Sequence, residues 1–265
     1  MRGSARRRCS RSHPPARART NAQDGPIAGS LKSPPVSGGD PIHLRPTAEL
    51  AERVLLPGDP GRALALAQAL LEQPLMFNHH RGLWGYTGAA PDGEPLTIQA
   101  TGMGGPSAAI VFSELIALGA KRAIRVGTCG ALAPGIELGE LIVAREAISA
   151  DGTSRALGAG ERVAADPELT RALIGHAPSA RCGAVVSVDL FYDEGRRPSA
   201  AQALAIEMEA AALFAVGAAA RLPVACVLAV SDTFDAGGGR HRIEDPALLA
   251  ASERMGSVAA AALSD

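Results

Sequence analysis

The feature that most constrains this chain is an alternation. Short apolar runs of strand composition each break into a glycine-rich junction and resume with helical patterning. Arg53-Val-Leu-Leu56 leads through Pro57-Gly-Asp-Pro-Gly-Arg62 into a helix over 63–72. Strands over 83–89 and 95–101, joined by the turn signal Pro91-Asp-Gly93, lead through Gly102-Met-Gly-Gly-Pro-Ser107 into a helix reaching Leu118. Pro106 suits the first turn of that helix. A strand at 122–126 breaks into Gly127, Thr128 and Gly130, which are expected to turn the backbone and let it approach a ligand. Strands at 141–144, 183–188 and 224–230 and helices at 168–176, 208–221 and 246–263 complete the pattern, with 150–166 as loop. Such alternation specifies an α/β layered domain and excludes all-β and helical-bundle folds.

The pattern starts only at Pro41. Residues 1–40 are rich in Arg, Pro, Ser and Gly, have almost nothing to bury, and are expected to be disordered. They lack the apolar core of a secretory signal. An Arg-rich organellar leader and a true start downstream, near Val36, are both compatible with them. They carry eight basic against two acidic side chains, +6, which leaves −7 over the remaining 225 residues of a chain with net charge −1. An acidic folded part argues against nucleic-acid binding. With 47% hydrophobic and 20% charged residues the chain reads as soluble and globular, and no apolar run is long enough to span a bilayer. Cys9, Cys129, Cys182 and Cys226 show no C-x-x-C spacing, so neither zinc nor a disulfide framework is indicated and a cytoplasmic setting is expected.

Several junctions carry residue types with chemistry. Arg125, Thr128 and bare N–H groups at a strand exit suit a small anion such as phosphate; the plainer reading is a solvated or ion-paired arginine beside a turn. Gly58 and Arg62 repeat that chemistry at the start of a helix, where Asp59 can also act simply as a cap. Two such junctions reinforce each other, because ligands gather at the carboxyl ends of strands in open α/β sheets. Neither fits a dinucleotide or Walker pattern. Glu207-Met-Glu209 opens the alanine-rich helix, where acids either complement the helix dipole or accept hydrogen bonds from a sugar diol, with Met208 packed on the sugar. Asp232 follows a buried strand and is placed either as a general acid or as a turn cap. Phe191-Tyr192 is a scarce aromatic pair in a chain with 3% aromatics, able to pack in the core or on a planar base.

Taken together, LLPGDPGRA at 55–63, RGLWGYTG at 81–88, TGMGGPS at 101–107, IRVGTCGA at 124–131, SVDLFY at 187–192, EMEAA at 207–211 and VSD at 230–232 resemble the nucleoside phosphorylase family. The similarity is to its bacterial purine nucleoside and uridine phosphorylase branch, and runs from Ile42 to Leu263. It implies one domain over 41–265, with a central mixed β-sheet flanked by helices. The implied activity is phosphorolysis of ribonucleosides, purine nucleosides first, to free base and ribose 1-phosphate. Uridine phosphorylase and a catalytically silent nucleoside-binding protein are the alternatives.

The resemblance also implies roles. Gly58, Arg62, Arg125 and Thr128 would bind phosphate, joined by Arg81 from a neighbouring subunit. Glu209 would hold the ribose hydroxyls, with Met103 and Met208 lining the sugar. His43 would reach a ribose 5′-hydroxyl across a subunit interface. Phe191 would pack on the base with Glu207 nearby, and Asp232 would protonate the leaving purine. No cofactor or metal is implied, inorganic phosphate being a co-substrate, and self-association as hexamer, trimer or dimer is. The stretch Asp193-Glu-Gly-Arg-Arg197 lacks the glutamine with which uridine phosphorylases read a pyrimidine. Arg240 and Arg242 are the candidates to assist the acid, within a glycine-rich run, 235–242, that reads as a mobile lid.

Overall fold

A computed structural model describes residues 41–192, 203–235, 237 and 239–265. The tail 1–40 and the stretch 193–197 lie outside the described residues. In chain order the elements are β1 (Arg53–Leu56), α1 (Pro60–Leu70), β2 (Glu72–Asn78), a short 3-10 turn (His80–Gly82), β3 (Gly85–Ala89), β4 (Pro95–Gln99) and α2 (Gly105–Leu118). They continue as β5 (Arg122–Ala131), β6 (Leu141–Ser149), α3 (Gly152–Ala156), β7 (Arg162–Ala164), α4 (Pro167–His176) and β8 (Arg181–Ser187). The last are β9 (Ala205–Glu207), α5 (Ala210–Ala220), β10 (Val224–Phe234), β11 (Arg240–Arg242) and α6 (Asp245–Ala262).

One mixed sheet carries all the described strands, and helices cover both its faces. Alternation along β5 and β10 explains the two layers. Ala123, Cys129 and Ala131 with Cys226, Leu228 and Val230 face α2 and α5. Ile124 and Val126 with Ala225, Val227 and Ala229 face α1, α4 and α6. Strands buried on both sides read as continuous apolar runs, and this is why they were legible in the sequence. β1, β4, β5 and β10 are mutually parallel, so their carboxyl ends open on one edge of the sheet. β10 also pairs with β6, and β6, β8, β9 and β5 pair in turn, closing a ring of strands at that edge.

Several expectations are corrected. β5 does not stop at Val126: the parallel ladder to β10 carries it through Gly127 and Gly130, neither of which has positive φ. Residues 150–166 hold α3 and β7, the helix capped by Asp151 through the Ser154 N–H at 2.7 Å. β2 and β9 had no sequence signal, since β2 exposes Glu72 through Met76 and β9 is three residues long. Residues 240–242, at the end of the run expected as a lid, form a strand, β11, that the sequence did not announce. Asp232, Thr233 and Phe234 pair antiparallel with Arg242, His241 and Arg240, and Gly239 N–H donates to Asp235 Oδ1 at 2.7 Å.

The chain's entry into the domain is fixed by one buried acid. Glu114, the one charged residue of α2, accepts the backbone N–H groups of Ile42, His43 and Leu44 at 3.1, 3.0 and 2.7 Å, and the His43 ring Nδ1 lies 2.7 Å from it. Burial alone would push its carboxyl up, but the His43 ring and the three N–H groups outweigh burial and hold it below its ordinary value. A lowered folded-state value means that the clasp stabilises the domain above the ordinary carboxylate range and is lost as pH falls through the lowered value. Glu114→Leu leaves those donors unpaired and should cost about 2–4 kcal/mol in urea unfolding, with a shallower loss on acidification than wild type.

Candidate active site

The centre of the site is Arg125, 3% exposed on β5. Its Nε donates to Glu207 Oε2 at 3.1 Å and its Nη2 to Glu209 Oε2. Burial would pull the guanidinium down, but Glu209 and then Glu207 outweigh it and hold it above its usual value. Room for this side chain comes from Gly127: a Cβ there would sit 2.7 Å from Nη2 and 2.8 Å from Cζ. The glycine is therefore a close approach, not a turn. Arg125 Nη1 is buried and has no hydrogen-bond partner among the described residues.

The two acids of Glu207-Met-Glu209 divide the readings that the sequence left open. Glu207 accepts the N–H groups of Glu209 at 2.8 Å and Ala210 at 2.9 Å, and the Ser187 hydroxyl donates to its other oxygen. It caps α5, and burial pushes its carboxyl up against the pull of Arg125. Glu209 turns away from the helix to Arg125 and to the Gly104 N–H at 2.6 Å. Met208 between them is half-buried, and Met103, in the loop that carries Gly104, is 85% exposed. Gly102 and Gly104 have φ of 73° and 85°, which lets that loop turn back on Glu209.

Arg62 joins the group from α1. It is half-buried, and burial, countered by Asp59, holds its guanidinium below the usual value, with Arg125 adding repulsion and Glu209 attraction. Asp59 caps α1 through the Arg62 N–H at 2.7 Å. Gly58 packs beside Gly102, whose carbonyl oxygen would lie 3.3 Å from a Cβ there. Thr128 is half-buried towards the carboxyl end of β5.

The end of β10 carries the second group. A bulge between Val230 and Asp232 lets neighbouring side chains meet that a regular strand would point apart. The Ser231 hydroxyl lies 2.6 Å from Asp232 Oδ2, and Arg240 Nε donates to Oδ1 at 2.7 Å. Asp232 is 4% exposed. Arg240 Cζ sits 4.3 Å from the centroid of the Phe191 ring, and Tyr192 meets that ring edge-on at 5.0 Å. Of the two candidate arginines it is thus Arg240 that reaches the acid. Ser231, Ser187 and Glu114 were not singled out from the sequence. A lone acid in the apolar run IVFSELIAL was the available signal for Glu114.

Two expected residues stand apart. Arg81 is exposed on the 3-10 turn at φ 58°, and its side chain makes no ion pair among the described residues. His43 turns its Nδ1 to Glu114, 2.7 Å away, and is held to the entry clasp. Among the described residues no three His, Cys, Asp or Glu side chains gather as metal ligands. No described helix is long and apolar enough to cross a membrane.

A family model described as the phosphorylase superfamily matches residues 52–264, every element just described from the edge of β1 to the end of α6. The chain belongs to the phosphorylase superfamily. Among relatives in the superfamily, a purine nucleoside phosphorylase of DeoD type from Geobacillus kaustophilus is 40% identical over 202 residues, 72% of this chain and 85% of the relative. One of the same name from Alkaliphilus metalliredigens is 39% identical over 210 residues, 74% and 89% of the two chains. A uridine phosphorylase from Thermococcus kodakarensis is 38% identical over 224 residues, 76% and 80%. The superfamily's matched span includes every candidate residue above except His43.

Proposed function

We propose that this chain is a purine nucleoside phosphorylase, cleaving purine ribonucleosides with phosphate to free base and ribose 1-phosphate. The observation that carries the reading is a buried acid, Asp232, paired with Arg240 at the same sheet edge as the Arg125–Glu209 pair. Asp232 answers Gly130 in the ladder, three residues beyond the glycine under Arg125, about 10 Å of strand. That separation is comparable with a ribose plus its base.

In this reading Gly58, Arg62, Arg125 and Thr128 hold phosphate beneath the sugar, and Glu209 with Met103 and Met208 holds the ribose. A phosphate oxygen bonds to C1′ as the C1′–N9 bond breaks and its electron pair passes to the base. The proton of Asp232 goes to N7 of the purine. Arg240 donates to Oδ1 and the Ser231 hydroxyl to Oδ2, so the carboxylate left behind forms between two donors, one of them a guanidinium. Glu207 serves by holding Arg125.

The charge count favours shared sites. Arg62 and Arg125 are balanced by Glu207 and Glu209, so an incoming phosphate calls for a further cation. Arg81 is exposed for that purpose, near an edge strand, β2, that exposes Leu75 (61%) and Met76 (40%). A second copy seated there would bring Arg81 and His43 to its neighbour's site. We place the enzyme in the cytoplasm, with no cofactor beyond phosphate as co-substrate.

Release of base from inosine, adenosine and uridine, measured with and without phosphate, tests the reading. Phosphate-dependent cleavage of a purine nucleoside, faster than of uridine, is expected. Faster uridine cleavage would favour the relationship to uridine phosphorylase, equal rates without phosphate a hydrolase, and binding with no turnover a silent protein. Gly127→Ala would push Arg125 off its seat and should raise the KM for phosphate about tenfold, with kcat changed less; an unchanged KM would remove Arg125 from phosphate binding.

A further inference from the structure

Phe191 presents a feature that packing on a base does not account for. One face of its ring is covered by Arg240, at 4.3 Å from centroid to Cζ, within the range of a cation–π contact. The ring is itself 50% exposed and is met edge-on by Tyr192, which is 90% exposed. Arg240 belongs to a three-residue strand whose members are all exposed, and it reaches Asp232 through Nε alone, not through the paired Nη fork. A long side chain on so short an edge strand has many rotamers, and a single contact to the acid selects few of them. The ring face supplies the second constraint, fixing the guanidinium plane while Nε points at Oδ1.

We propose that Phe191 is a positioning residue for the acid: its ring holds Arg240 on Asp232, linking the loop after β8 to the β10–β11 hairpin across the base site. The proposal rests on the reading of Asp232 as the proton donor. It separates two uses of one aromatic ring. Stacking on the base would act on every substrate with a planar base. Holding Arg240 acts only where the leaving base needs a proton.

7-Methylinosine makes the distinction, because its base is already cationic and leaves without protonation at N7. Phe191→Leu keeps an apolar side chain and removes the π face. With inosine and phosphate, kcat should fall about tenfold while the KM for inosine changes less than twofold. With 7-methylinosine the fall in kcat should be at least fivefold smaller than with inosine, and that retained turnover also shows that the variant is folded. Phe191→Trp should restore the inosine rate, and in an Arg240→Leu background Phe191→Leu should add nothing further. Equal losses on both nucleosides, a raised KM without a change in kcat, or independent effects of the two substitutions would overturn the proposal. Wild-type enzyme that cleaves neither nucleoside with phosphate would instead sink the phosphorylase reading, and this inference with it.

Discussion

Replacing Arg125 with leucine should lower the unfolding free energy by about 3–5 kcal/mol and abolish measurable use of phosphate. Two carboxylates, both 5% exposed, face the guanidinium, and removing it leaves Glu207 and Glu209 with only neutral donors. The pH dependence should identify the cause. Burial already raises Glu207, and an acid raised in the folded state favours folding at low pH and loses that contribution as pH rises. Without its counter-charge this effect grows, so Arg125→Leu should be relatively more stable near pH 5 than near pH 8, the opposite sign to the Glu114 clasp. Adding Glu207→Gln should recover part of the loss, since it removes one uncompensated charge while the Ser187 hydroxyl can still bond to the side chain. Arg125→Lys keeps a cation but not the fork that spans two acids. It should unfold closer to wild type while kcat/KM for phosphate falls on the order of a hundredfold. Urea titrations at two pH values and phosphate saturation curves check these outcomes, and a pH-independent stability loss would show that packing, not charge, sets the cost.

The same residue shows what the sequence could and could not convey. Continuous apolar runs such as Val224 to Val230 and Arg53 to Leu56 announced buried parallel strands, because both faces of those strands lie under helices. Gly127 and Gly130 misled, since a glycine in a strand pattern reads as a break. Here the missing side chains make room for the Arg125 guanidinium at 127 and for Phe234 and Ile206 at 130, contacts made by residues distant in sequence. The plain reading of Arg125 as ion-paired is also what the structure contains, in a buried form that a local view of RAIRVGTCG had no means to anticipate. Glu207 and Glu209 look equivalent in EMEAA. Only the start of α5 separates them, one carboxylate turning back onto the helix N–H groups and the other out to Gly104. Arg240 could be named only alongside Arg242 for a similar reason: its approach to Asp232 depends on the β10–β11 ladder, and a run of glycines carries no register of its own.

Asp232→Asn is the second large expected effect. Asparagine is isosteric, its carbonyl oxygen can accept from Arg240 Nε, and its amide can donate to Ser231, so the hairpin and the bulge should remain in place. What disappears is a transferable proton. General acid catalysis contributes roughly 10²–10⁴-fold, so kcat on inosine should fall at least tenfold and on the order of a hundredfold, with the KM for phosphate nearly unchanged because Arg62 and Arg125 are untouched. The loss should be far smaller on 7-methylinosine, whose base needs no proton. Arg240→Leu should follow the same substrate pattern at smaller size, since the acid remains and only the charge that stabilises its conjugate base is gone. A kcat deficit of the same size on both nucleosides would mean that Asp232 orients the base instead of protonating it, and wild-type rates on inosine would remove Asp232 from the mechanism.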